Sequence, residues 1–183
     1  MKQKEHNNMT LIREVNGDLL EATENLILHQ VNAQSKMGSG IALQVKNKWY
    51  NVYQSYKQLC DSNTPHELMG KAQVVGIGNK QAVVNLFGQK YFGYDCGRYT
   101  DYEALYKALE SASETAREYD LSVAIPYKLG CDRGGADWHI VYAMIESVFK
   151  NHAQPITIYK LGGEWEHSFN PKAPSKVAFG ESP

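Results

Sequence analysis

Residues 25–48 read NLILHQVNAQSKMGSGIALQVKNK, and residues 122–138 read SVAIPYKLGCDRGGADW. Both stretches follow one plan: a short apolar run, a glycine-bearing turn, then apolar residues at helical spacing. In the first, Leu26, Ile27, Leu28 and Val31 make the run expected of a strand covered on both faces, over Asn25 to Asn32. The turn Met37-Gly38-Ser39-Gly40 follows, and Ile41, Ala42 and Val45 then mark one face of a helix over Ile41 to Lys48. In the second, Ser122 to Pro126 is the strand and Gly130-Cys131-Asp132-Arg133-Gly134-Gly135 the turn. Asp137 to Asn151 is the helix, with Val141, Ile145 and Val148 inward.

The flanking sequence alternates in the same way. Met9 to Val15 reads as a strand ending in the turn Asn16-Gly17-Asp18, and Asn51 to Cys60 as a helix with Val52, Tyr56 and Leu59 on one side. Ala72 to Ile77 and Gln81 to Phe87 are short strands joined by Gly78-Asn79-Lys80, a hairpin signal. Thr100-Asp101 caps a long helix reaching about Tyr119, in which Leu105, Ala108, Leu109, Ala112 and Ala116 recur at three and four residues. Pro155 to Tyr159 is the last strand. Strands alternating with helices predict an α/β domain of three layers, α/β/α, and the hairpin makes its central sheet mixed. The domain is expected over residues 9–162, after an N-terminal extension (1–8) and before a tail or docked extension (163–183) rich in Gly, Pro, Ser and Lys.

Composition narrows the function. The chain has 183 residues, 43% hydrophobic and 21% charged, in the range of an ordinary globular domain. Its net charge of −1 argues against sequence-specific DNA binding, which needs a basic excess or a concentrated patch. Cys60, Cys96 and Cys131 are widely spaced and form no CxxC pair, which argues against a zinc site. The odd cysteine count and a polar Met1 to Thr10 without an apolar stretch point to the cytoplasm. No run of about 18 apolar residues is present, so no membrane span is expected. No metal or cofactor is expected, and the oligomeric state is expected to be monomeric.

Each glycine-bearing turn either solves a tight bend or exposes backbone N–H groups to an anion, with the following helix N-terminus adding partial positive charge. The chain has no GxxxxGK[ST], and the first turn lacks the full GxGxxG, so neither a P-loop nor a dinucleotide site fits.

Three segments in order carry a resemblance: Asn16-Gly17-Asp18-Leu19-Leu20; Val31-Asn32 with Met37-Gly38-Ser39-Gly40-Ile41-Ala42; and Ile125-Pro126 with Leu129-Gly130-Cys131 through Gly134-Gly135-Ala136-Asp137-Trp138. Over residues 9–161 the chain resembles the macrodomain family, and within it the branch of ADP-ribosyl glycohydrolases and ADP-ribose-1″-phosphate processing proteins. The resemblance implies a cleft for ADP-ribose, or for an ADP-ribosylated protein or nucleic-acid end. It implies that Asp18, with Leu19 beside it, accepts from the adenine amino group; an Asn-Gly-Asp turn is the alternative. Gly38, Ser39, Gly40 and Ile41 would meet the distal phosphate and ribose. Gly130, Cys131, Arg133, Gly134 and Gly135 would meet the diphosphate from the other side, and Tyr159 would flank adenine or join the core.

For catalysis, the resemblance implies a lysine after the central strand and an acid in the second glycine loop. An ungapped placement puts Gln89 on the lysine position and Lys90 one residue later, where a strand reverses side-chain direction. The acid becomes Asp132, two residues before the family position, which Gly134 occupies. Asn32 and Ser35 follow the second strand, where they either meet the distal ribose or cap the loop. Asp132, Lys90 and Asn32 are the candidate catalytic residues. The stretch Tyr91 to Tyr99 is long for a connection and is expected to border the distal ribose as a lid, or to pack down as a surface loop. Cys131 has no histidine nearby in sequence, which argues against a thiolate nucleophile.

Overall fold

The computed structural model describes residues 12–162 other than Tyr94 and Cys96. The expected extension (1–8), the tail (163–183) and Met9 to Leu11 of the first strand lie outside the described residues. Six strands form one sheet: β1 (Ile12–Asn16), β2 (Leu26–Asn32), β3 (Ala72–Gly78), β4 (Gln81–Gln89), β5 (Val123–Pro126) and β6 (Ile156–Lys160). Their order is β1-β6-β5-β2-β4-β3. Every neighbouring pair is parallel except β3 and β4, so the sheet is mixed, as the hairpin predicts. The hairpin turns at Asn79 and Lys80, whose φ of 50° and 59° give the doubly left-handed turn that follows the strands' twist.

Helices α1 (Gly40–Lys48) and α2 (Tyr50–Ser62) cover one face, and α4 (Tyr102–Glu118) and α5 (Trp138–Val148) the other. β2 shows the layering. Leu26 and Leu28 pack with Leu105, Leu109 and Ile145 of α4 and α5, whereas Ile27 packs with Val45 and Val52 of α1 and α2. Two elements escaped the sequence reading. Leu19–Glu21 is a single 3-10 turn capped by Asp18. α3 (Pro65–Leu68) rests on a capping box in which Thr64 and Glu67 satisfy each other's backbone N–H, with Pro65 opening the helix. At four residues α3 is too short to show periodicity. α5 ends at Val148 rather than Asn151, because Phe149 closes the last turn and Asn151 takes a left-handed φ of 63°. No helix among the described residues is long and apolar enough to cross a membrane.

A polar chain runs through the core on the α1/α2 face. His29 of β2 is fully buried, with Nε2 2.6 Å from Oδ1 of Asn85 on β4. Asn85 donates to Gln73 on β3 (3.0 Å), and Gln73 donates to the Ser55 carbonyl of α2 (3.0 Å). Since Asn85 Oδ1 can only accept, the His29 proton sits on Nε2; Nδ1 is buried without a partner. A second proton would strand a buried N–H, and burial pushes the His29 pKa down to about 4, against the opposing pull of Asn85. Below pH 6.5 the unfolded chain therefore binds a proton that the folded chain refuses. The stabilisation is complete above pH 6.5 and is lost as pH falls toward 4, about 3 kcal/mol in all. Urea titrations of the wild type should show this decline. His29→Gln, which keeps a donor to Asn85 without a titrating ring, should show a correspondingly flatter profile between pH 6.5 and 4.

Candidate functional site

Because β1, β6, β5, β2 and β4 all run in one direction, the segments after them emerge along one edge of the sheet. The chain leaves β2 toward β4 and β3, and leaves β5 toward β6; the connections diverge between β2 and β5. A crevice opens at such a switch point. Its walls are the first glycine loop after β2 and the second after β5. Along the same edge lie Asp18 after β1 and the 90–99 segment after β4.

The first loop presents an open helix end. Ser39 holds the N-cap position of α1 in extended conformation but makes no capping hydrogen bond, and no acidic residue stands in the first turn. Gly40 takes a positive φ of 54°. The amides of Gly38 to Ile41 have no acceptor among the described residues. A side chain added at Gly38 would meet nothing within 4 Å, so the loop is open on its outer side. An uncapped helix N-terminus behind an open glycine turn suits an anion.

The second loop is built differently. Asp137 caps α5 by accepting from the His139 amide (2.8 Å), so this helix end is already satisfied. Cys131, Gly135 and Ala136 donate their amides to carbonyls of Lys128, Asp132 and Gly130 within the loop. The amides of Gly130, Asp132 and Gly134 remain uncommitted among the described residues. Of the two helix ends expected to attract a phosphate, only that of α1 is open. Asp132 is exposed, and its Oδ2 lies 3.8 Å from where a Cβ on Gly40 would sit, so the two loops meet at this carboxylate. Arg133 is exposed.

The remaining predicted residues divide. Asp18 accepts from the Leu20 amide through Oδ1 (2.9 Å), leaving Oδ2 without a hydrogen bond among the described residues. It therefore serves the turn and still offers an acceptor, and Leu19 is buried beneath it. Tyr159 lies against Gly17, with its ring 3.4 Å from that residue's Cβ position, and its hydroxyl donates to buried Glu24 (2.8 Å). Burial, followed by the Glu24 contact, raises that hydroxyl to about 12. Asn32 is buried, and its side chain closes the loop: Nδ2 donates to the Lys36 carbonyl (2.7 Å), while Oδ1 accepts from Gln34, Lys36 and Tyr56. Ser35 takes a φ of 59° and points its hydroxyl toward Asp61 at 3.4 Å.

Lys90, one residue beyond β4, is exposed with its ammonium 5.3 Å from the Tyr91 ring centre, whereas Gln89 at the strand's end is buried. Cys131 is half-buried and donates to the Leu129 carbonyl (3.4 Å); burial pushes its thiol up to about 12, which suits no thiolate chemistry. The end of the connection after β4 holds to the second loop: the amides of Tyr99 and Thr100 both donate to the Gly134 carbonyl (2.9 and 2.8 Å). Within that connection, Asp95 accepts from Tyr99 (2.5 Å). Among the described residues no group of three or more His, Cys, Asp or Glu is placed to hold a metal.

Sequence reasoning missed Gln30. Its Nε2 donates both to Gln89 Oε1 (2.7 Å) and to Thr100 Oγ1 (2.8 Å), and Thr100 donates onward to the Gly130 carbonyl (2.9 Å). The available signal was a glutamine in a strand that the apolar run Leu26-Ile27-Leu28 and Val31 marks as covered on both faces.

A sequence profile of the Macro domain family matches residues 28–145, and the chain belongs to that family. It is 31% identical over 139 residues to a DNA ADP-ribosyl glycohydrolase of Mycobacterium tuberculosis, covering 73% of this chain and 37% of that protein. The chain thus spans about a third of the length of such relatives. Over 60 residues it is 35% identical to an ADP-ribose 1″-phosphate phosphatase of Chaetomium globosum, 32% of each chain. Among solved structures, the macrodomain of Mycobacterium tuberculosis DarG superposes with a TM-score of 0.71 at 28% identity, covering 84% of this chain and 99% of that one. The three-layer α/β/α architecture is the fold of these neighbours.

The glycines of the two loops have different reasons to be small. A Cβ on Gly134 would lie 2.2 Å from Thr100 Oγ1 and 2.3 Å from the Gly130 carbonyl, both fixed from beneath. A side chain cannot stand at Gly134 without displacing these groups. Gly134→Ala should destabilise the fold by about 2 kcal/mol through overpacking, whereas Gly38→Ala should leave it within about 0.5 kcal/mol. Thermal denaturation of the two variants checks the contrast.

Proposed function

We propose that the chain binds ADP-ribose across the crevice between β2 and β5 and hydrolyses an ADP-ribosyl bond at the distal ribose. The observation that carries this reading is the meeting of an uncapped α1 N-terminus with the Asp132 carboxylate across two glycine loops. The likeness to a DNA ADP-ribosyl glycohydrolase and to an ADP-ribose 1″-phosphate phosphatase supports it. In this reading Asp18 Oδ2 accepts from the adenine amino group, which an acceptor-only carboxylate distinguishes from a keto group. Leu19 and Tyr159 flank the base. Gly38, Ser39, Gly40 and Ile41 bind the phosphate next to the distal ribose, and Gly130 to Gly135 close over the diphosphate with Arg133 at the rim.

Asp132 then faces the distal ribose, where it activates water or stabilises the oxocarbenium-like centre. Lys90 acts from the edge of the lid through its charge, and Asn32 acts by holding the first loop. The substrate is an ADP-ribosylated protein or nucleic-acid end, or ADP-ribose-1″-phosphate, handled by a cytoplasmic monomer. One observation favours a second reading, that of a reader that binds without turnover: the Asn32 side chain is committed to its own loop.

Incubation with ADP-ribosylated protein, ADP-ribosylated DNA and ADP-ribose-1″-phosphate separates the two. Turnover of at least one is expected, with kcat falling roughly 100-fold or more in Asp132→Asn and less in Lys90→Ala. Turnover of none beside firm ADP-ribose binding would establish the reader. Turnover that survives both substitutions would remove these residues from catalysis. Calorimetry should show the wild type preferring ADP-ribose to its inosine analogue, and Asp18→Ala losing that preference. A folded wild type that gives no heat with ADP-ribose would end both readings.

A further inference from the structure

Gln30 stands where three parts of the crevice meet, and its hydrogen bonds run in one direction through them. Gln89 Nε2 donates to the Tyr91 carbonyl at the start of the 90–99 segment (3.0 Å). Gln89 Oε1 accepts from Gln30 Nε2, which also donates to Thr100 at the end of that segment. Thr100 donates to the Gly130 carbonyl in the second loop. Gln89 also accepts from the Ala33 amide, just after β2, through its own carbonyl (3.0 Å). Thr100 is 2% exposed and Gln89 8%, so water does not replace these bonds at little cost.

The packing says the same. Gln30 Oε1 is buried without a partner, and it lies 2.6 and 2.7 Å from the Cβ positions of Gly88 and Gly130. Its Nε2 lies 2.9 Å from that of Gly134. Three glycines on two elements are therefore shaped around one amide. A Cβ on Gly135 would lie 2.9 Å from the Gly97 carbonyl, so the second loop and the 90–99 segment are in backbone contact above it.

We infer that Gln30, acting through Thr100, is a positioning residue that locks the second glycine loop and the ends of the connection after β4, at Tyr91 and at Gly97 to Thr100, into one unit and so holds Asp132 at the distal ribose. The inference rests on the hydrolytic reading above for its last clause only. A ligand contact on either part is transmitted to the other, and the carboxylate keeps its place because the loop carrying it cannot shift alone. Displacement of a reacting group by about 1 Å lowers turnover up to about 100-fold, whereas backbone binding of the diphosphate tolerates more.

The test pairs Thr100→Val, which keeps shape and removes the hydroxyl, with Thr100→Ser, which keeps it; Gln30→Met removes the amide. Amide hydrogen exchange is measured on the free proteins. Exchange at Thr100 and Ala136, which lie on different segments, should quicken together in Thr100→Val and Gln30→Met and stay near wild type in Thr100→Ser. Kinetics use whichever of the three substrates is turned over. In Thr100→Val kcat should fall about 10- to 100-fold with ADP-ribose affinity little changed, Thr100→Ser should restore it, and Thr100→Val should add nothing in an Asp132→Ala background. Faster exchange on one segment alone would overturn the coupling. Joint exchange with an unaltered kcat would overturn the positioning of Asp132. A wild type that turns over no substrate would defeat the hydrolytic reading, while the exchange measurement would still decide the coupling.

Discussion

A strand covered on both faces must find a hydrogen-bond partner for each polar side chain it carries, and β2 carries three in four positions: His29, Gln30 and Asn32. Each solution builds a different part of the molecule. His29 turns to the α1/α2 face and organises the chain through Asn85 and Gln73 that seats α2 against the β-hairpin. Gln30 lies under the second glycine loop and ties it to the segment after β4. Asn32 closes the loop that leads to Gly38 and Gly40, and Tyr56 of α2 reaches both its carbonyl and its side chain. The central strand thus supplies apolar packing and also fixes the two loops that form the crevice.

The fold was legible in the sequence because its signals are repeated. Apolar runs, turn residues and helical periodicity agree along residues 12–162, and the hairpin turn alone dictates the one antiparallel pair. What escaped has a common cause. α3 and the 3-10 turn are set by side-chain caps rather than by periodicity. The Gln30–Thr100 contact joins residues 70 apart in sequence and has no local signature. Lys90 illustrates the intermediate case: β4 is buried at every position from Val83 to Gln89 and ends there, so Lys90 is exposed because it lies beyond the strand. Where a single strand's geometry decides the outcome, sequence suffices; where two distant segments share a partner, it does not.

The two glycine loops looked alike in sequence and are physically unlike. One fronts an uncapped helix with empty space outside it; the other fronts a helix that Asp137 already caps, and its glycines yield to groups underneath. Electrostatic attraction for a phosphate therefore comes chiefly from the α1 side. The second loop contributes shape, a carboxylate and the amides of Gly130, Asp132 and Gly134, uncommitted among the described residues. Such a division suits a ligand carrying a diphosphate next to a neutral sugar. In the proposed reading the anion goes to the helix end, and the acid of the facing loop meets hydroxyls, which can donate to it, rather than phosphate oxygens, which would repel it.

That asymmetry also bears on where the acid stands. Placing a carboxylate at Gly134 would drive its Cβ into Thr100 and the Gly130 carbonyl, breaking the contacts that hold the loop down. Gln30 and Thr100 therefore exclude the acid from that position, and Asp132, on the exposed outer turn of the same loop, is the carboxylate left facing Gly40. A carboxylate on an exposed turn would ordinarily be poorly placed for chemistry, since its loop can move with it. Here the loop is anchored at Gly130 and Gly134 by bonds from a buried threonine. The packing that keeps a side chain out of position 134 thus also anchors the loop that carries Asp132.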